Sequence, residues 1–175
     1  MHPILGRPAR LTAYLGVWVP LGMLLADFLR DTLALGQRER IGLDEELALA
    51  QRFLEIEQVR YGSRLSTAIA ADPGTESEEV PPLVLQPLVE NAVTHGIAHM
   101  LDGGVVRIEA HRQMTTLVVT VDNPCDADRP KGRGTGLGLR NVRERLESEY
   151  GPDATLRTEE TDGRFVARID IPTAV

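Results

Sequence analysis

The apolar positions of this chain change their period several times, and each change marks an element. The first apolar run is continuous rather than periodic. Residues 11–26 carry no charged side chain and follow a flank holding Arg7 and Arg10. A bilayer span needs about 20 apolar residues. This run is shorter, and Gly16, Pro20 and Gly22 interrupt it. It reads either as a membrane-associated helix, with Tyr14 and Trp18 at an interface, or as a buried helix. The basic flank also fits the start of a signal sequence, although no small-residue cleavage site follows. Residues 27–35 read as the tail of a second helix, and Gly36, Arg38, Glu39, Arg40 and Gly42 as a polar connection. Asp44 is a candidate N-cap for a helix over 44–61, with Glu45 and Glu46 in the first turn where negative charge is favoured. Two adjacent stripes follow, Leu47, Ala50, Leu54 and Leu49, Phe53, Ile56, and so wide an apolar face suits packing in a helical bundle or dimer.

Further on the period shortens. Residues 65–70 alternate and predict a strand, and 72–79 form an acidic, Gly- and Pro-containing loop. Pro81 and Pro82 suit the first positions of a helix that continues past Asn91. Along it Leu85, Leu88, Val89, Ala92 and Val93 share one stripe, which leaves Glu90, Asn91 and His95 at the edge of a core. Strands are predicted at 105–111 and 116–122, with polar residues between, and at 155–159 and 165–171, joined around Asp162-Gly163. The expected architecture is an α/β sandwich, a mixed sheet with helices on one face, preceded by an N-terminal helical segment. The division falls between a helical part, 1–62, and the sheet-bearing domain, 63–175.

Composition narrows the function classes. The 175 residues are 42% hydrophobic and 26% charged, ordinary for a folded domain. A net charge of −7 argues against nucleic acid as a main partner, which demands clustered Lys and Arg. The single cysteine, Cys125, excludes an internal disulfide and reads as a small filler rather than a reactive thiol.

Three stretches carry chemistry. The first is Leu85-Gln86-Pro87-Leu88-Val89-Glu90-Asn91-Ala92-Val93-Thr94-His95-Gly96. The second is Val118-Val119-Thr120-Val121-Asp122-Asn123-Pro124, an apolar strand ending in a carboxylate. The third is Gly132-Arg133-Gly134-Thr135-Gly136-Leu137-Gly138-Leu139, a glycine-rich loop running into a helix that continues with Val142 and Leu146. A helix start offers unpaired N–H groups to phosphate, and glycine permits close backbone approach. In this order the three resemble the ATP-binding (HATPase) domain of the LytS-type sensor histidine kinases, a Bergerat fold of the GHKL ATPases. The segment from Leu43 to Gly62 also resembles the LytS-type connection between phosphoacceptor helices and ATP domain.

The resemblance implies roles. Asn91 would hold the Mg2+ that bridges the ATP phosphates, a hard cation suited to a side-chain oxygen. Asp122 would accept from the exocyclic amine of adenine, so that Asp122→Asn is expected to abolish nucleotide binding; Pro124 departs from the usual glycine that soon follows. Gly134, Thr135, Gly136, Leu137 and Gly138 would form the phosphate lid, with Lys131 and Arg133 either neutralising phosphate or solvated. His95 would line the pocket or close its helix. Glu90 is the candidate catalytic residue, a general base toward a water or a partner imidazole. Hydrolytic relatives place a water-activating Glu four residues before the Asn, where this chain has Pro87, so transfer is favoured over hydrolysis.

One departure decides the substrate. LytS-type kinases carry their acceptor in the form Asn-Pro-His-Phe-Leu-Phe-Asn, and the four histidines here, His2, His95, His99 and His111, lie in no such run. The simplest account is that intervening membrane helices and the acceptor helix are missing from this chain. The expected function is therefore a two-component kinase module that binds Mg-ATP and phosphorylates a histidine of another chain, without self-phosphorylation in cis. The alternative is a non-catalytic ATP-binding module that regulates a partner kinase through the 44–61 helix. A response regulator partner, a possible homodimer and a place on the cytoplasmic side of the inner membrane, or in the cytoplasm, complete the expectation.

Overall fold

A computed structural model describes residues 8–126 and 136–173, with backbone alone for 8–19. Helix α1 (Pro8–Leu35) is one element, not the two expected, and runs through Pro20. A proline inside a helix removes one backbone bond, and the turns on either side carry the helix past it. Phe28 of α1 meets Phe53 of helix α2 (Leu43–Tyr61) with ring centroids 5.9 Å apart, and Asp31 pairs with Arg52. The opposite side of α1 leaves Met23, Leu25, Leu29 and Leu33 exposed. Among the described residues no helix is long and apolar enough to cross a membrane, so the membrane reading of 11–26 gains no support.

Helix α2 starts one residue earlier than Asp44, which is not its cap. Gly42 precedes the helix, and its N–H donates to the Glu45 carboxylate at 3.1 Å. Of the expected stripes Leu47, Ala50, Leu54 and Leu49 are buried, with Leu43 beside them, while Phe53 and Ile56 are half-buried. Most of these residues join the core beneath the sheet.

The sheet has five strands: β2 (Leu65–Ala71), β4 (Gly104–Gln113), β5 (Thr116–Pro124), β6 (Thr155–Thr161) and β7 (Arg164–Pro172), in the order β2-β4-β5-β7-β6. Only β2 and β4 pair in parallel. The rest of the sheet is antiparallel: β4 with β5 and β6 with β7 as hairpins, and β5 beside β7 after a return through a helix and β6. A separate two-residue pair joins β1 (Ile41–Gly42) to β3 (Glu79–Val80). The sheet is mixed and its helices cover one face, as the residue pattern predicts.

The helix that carries Asn91 is shorter than expected. Helix α3 (Gln86–Asn91) begins after Pro81 and Pro82, continues as a π-turn over Ala92–Gly96 and ends in a 3-10 turn at Ile97–His99. The delay has a physical cause. Glu46 of α2, only 1% exposed, accepts from the backbone N–H groups of Leu83 and Leu85, the latter at 2.8 Å. Leu83 is held at φ +58°, a left-handed conformation that no helix accommodates. Helix α4 (Leu137–Tyr150) closes the same face and buries Val142 and Leu146.

Candidate functional site

The helix-covered face opens at one end into a cavity of about 180 Å3. Its walls come from two elements: Pro87, Glu90, Asn91, Thr94 and His95 of α3 and its π-turn, and Gly136, Leu137, Gly138 and Leu139 at the start of α4. The sequence dictates this meeting. Leu85, Leu88, Val89, Ala92 and Val93 are buried, which turns the remaining positions outward toward α4. The wider π-turn, a feature frequent at functional sites, carries Thr94 and His95. Gly138 keeps α4 close, since a β-carbon there would stand 3.3 Å from that of Pro87.

The start of α4 suits an anion. Gly136 adopts φ +56° before the helix, and no acidic residue stands in its first turn. Its first N–H groups have no partner within the helix, and its dipole points the positive end at the cavity. Across the cavity, Glu90 accepts from the Gln86 amide at 2.9 Å. Asn91 is half-buried beside it. The cavity thus combines a side-chain amide, an imidazole and helix-terminal N–H groups, a donor set fitted to phosphate with a hard cation.

Of the expected site residues, the structure brings together Glu90, Asn91, His95, Gly136, Leu137 and Gly138. Gly134, Thr135, Lys131 and Arg133 lie outside the described residues. Asp122 is placed elsewhere. Leu117, Val119, Val121 and Asn123 of β5 face the helices, so Asp122 projects from the opposite face. There its carboxylate takes two hydrogen bonds from Arg164, at 2.7 and 2.5 Å, and one from Arg107 at 3.1 Å. The pairing holds the Arg164 guanidinium pKa above its usual value, chiefly through the hydrogen bond to Asp122.

The polar residue that does face the helices at the end of β5 is Asn123, which reasoning from motifs passed over. It is 2% exposed and its Nδ2 donates to the Pro124 carbonyl at 2.8 Å, while its Oδ1 has no partner. Strand alternation was the available signal: an inward Val119 and Val121 make the next inward residue 123, not 122. Gly96 explains how the strand end fits against the π-turn, because a β-carbon there would come within 2.2 Å of the Asn123 Nδ2. Cys125 follows, its backbone N–H bonded to the Gly163 carbonyl at 2.8 Å. Burial, with Glu160 adding to it, raises the thiol pKa, in keeping with a filler rather than a reactive group.

The chain is similar to sensor histidine kinases in sequence and in fold. The profile of the histidine kinase family matches residues 21–65. The chain is 30% identical to the sensor protein LytS of Oceanobacillus iheyensis over 162 residues, 85% of this chain and 28% of that protein. It is 34% identical to the sensor histidine kinase BtsS of Escherichia coli K12 over 115 residues, 66% of this chain and 20% of that protein. The chain therefore spans less than a third of the length of these relatives. In fold it resembles the Acinetobacter baumannii histidine kinase AdeS (TM-score 0.56, 14% identity, covering 98% of this chain and 88% of that one). It also resembles the histidine kinase ThkA in its complex with the response regulator protein TrrA (TM-score 0.56, 21% identity, covering 97% and 53%).

Proposed function

The chain is a histidine kinase catalytic domain of the LytS type, and on that premise we propose that it binds Mg-ATP between α3 and α4 and donates the γ-phosphate to a histidine of another chain. The observation that carries this reading is the cavity in which Asn91 and His95 face the start of α4. Asn91 would hold the magnesium ion through its side-chain oxygen. The N–H groups at the start of α4 would bind phosphate oxygens. When bound, magnesium supplies charge neutralisation at the phosphates. Glu90, steadied by Gln86, stands at the rim, where it would take the proton of an incoming imidazole. What the protein contributes is positioning and fixed dipoles.

The acceptor is assigned to another chain because His95 and His99 belong to the α3 end and His111 to β4, none in the acceptor context. A response regulator would then take the phosphate onward. The direct test incubates the full chain with γ-labelled Mg-ATP, with and without a helical fragment bearing Asn-Pro-His-Phe-Leu-Phe-Asn. Label on the fragment and none on the chain is expected. Label on the chain itself would contradict transfer in trans.

A second reading rests on Glu46. This carboxylate ties α2 to the turn that launches α3, so nucleotide occupancy would be felt by the connecting helix. Nucleotide binding without any label on the fragment favours such a regulatory module.

A further inference from the structure

We propose that Asn123, not Asp122, reads the base of the nucleotide, and that it does so as a neutral acceptor specific for an exocyclic amine. This rests on the Mg-ATP reading of the cavity and names the group that selects the purine. Two features of its carboxamide support it. First, Asn123 is 2% exposed and its Oδ1 lacks any hydrogen-bond partner. Leaving a buried acceptor unpaired costs about 1–3 kcal/mol. A ligand N–H arriving at this atom removes that cost, and it does so at the strand end that packs on the π-turn carrying His95.

Second, the orientation of the carboxamide is fixed by its surroundings. Nδ2 donates to the Pro124 carbonyl at 2.8 Å. Exchanging the two atoms would set Oδ1 against that carbonyl, acceptor on acceptor, so the free atom is the oxygen. An amide that turned freely would accept an amine or donate to a carbonyl with equal ease. Held in this way it only accepts. Adenine presents an amine at its 6-position, whereas hypoxanthine and guanine present an oxygen there that would face Oδ1 as a second acceptor. Selection therefore follows from one bond made and one repulsion avoided. Asp122, already holding two guanidinium groups on the other face of the sheet, takes no part.

The experiment measures the affinities of the full chain for Mg-ATP and Mg-ITP by calorimetry, in wild type, Asn123→Leu and Asp122→Asn. Wild type is expected to prefer ATP at least tenfold. Asn123→Leu, which replaces an unpaired polar group by an apolar one of similar size, should bring the ratio near one mainly by weakening ATP. Asp122→Asn should keep the wild-type ratio. Equal affinity of wild type for ATP and ITP, or a ratio lost in Asp122→Asn, overturns the assignment even where Asn123→Leu does not fold. Tight binding of both nucleotides without preference leaves the Mg-ATP reading standing and removes only Asn123. Binding of neither removes both.

Discussion

The two faces of the five-stranded sheet end differently at the same strand. On the open face Asp122 is locked between Arg107 and Arg164; on the covered face its chain neighbour Asn123 is buried with an oxygen unpaired. The open face settles its charges within itself, through a mostly buried carboxylate held by two bonds from Arg164 and one from Arg107. The covered face keeps polar capacity in reserve: the Asn123 oxygen, the half-buried Asn91 and the first N–H groups of α4. A polar group already satisfied has little left to offer a ligand. One that is buried and unsatisfied is costly unless a ligand completes it.

Substitutions on each face sharpen this contrast. The largest effect is expected from Gly96→Val, whose β-carbon would meet the Asn123 Nδ2 at 2.2 Å and the Pro124 carbonyl at 2.8 Å. Overpacking of this kind costs about 3 kcal/mol, read as a lower urea midpoint. An unchanged midpoint would mean that the strand end is loose.

Glu46, behind the covered face, comes next. Burial, the largest influence, raises its pKa from 4.5 to about 7 against the backbone N–H groups of residues 83–85 and Arg145. A carboxyl with a folded pKa above its unfolded one binds more protons when folded, so stability should decline as pH rises from about 4.5 to 7. The decline is at most about 3 kcal/mol. Glu46→Gln should flatten that slope in urea titrations at successive pH values, and a slope that persists points to another group.

Asn91→Ala should weaken ATP affinity about tenfold in magnesium, roughly 1.4 kcal/mol, and leave affinity in EDTA unchanged. Equal losses in both media would make Asn91 a nucleotide contact rather than the metal's. The smallest effect belongs to the open face: Asp122→Asn, which keeps one acceptor oxygen for its arginines, should lower stability by about 1 kcal/mol, checked by thermal unfolding.

Much of this was legible beforehand. Strand pairing around 112–115 and 162–163 followed from alternation and turn residues, and the inward stripe of Leu85, Leu88, Val89, Ala92 and Val93 leaves Asn91 and His95 along the wall of one cavity. What escaped had one tertiary cause and two local ones. The late start of α3 depends on a carboxylate thirty-nine positions away, Glu46 on Leu85, and no local propensity reports such a bond. Asp122 drew attention as a carboxylate ending a strand, yet the period of two set its direction. The continuity of α1 through Pro20 reflects the turns around it, not the proline.

The most direct test of the account maps amide resonances of the labelled chain while a non-hydrolysable ATP analogue with magnesium is added. Shifts at the Asn123 side-chain amide, Gly96, Asn91 and Gly138, with Arg107, Asp122 and Arg164 unmoved, are the expected result. Shifts centred on Asp122 and its two arginines, with Asn123 silent, would contradict it.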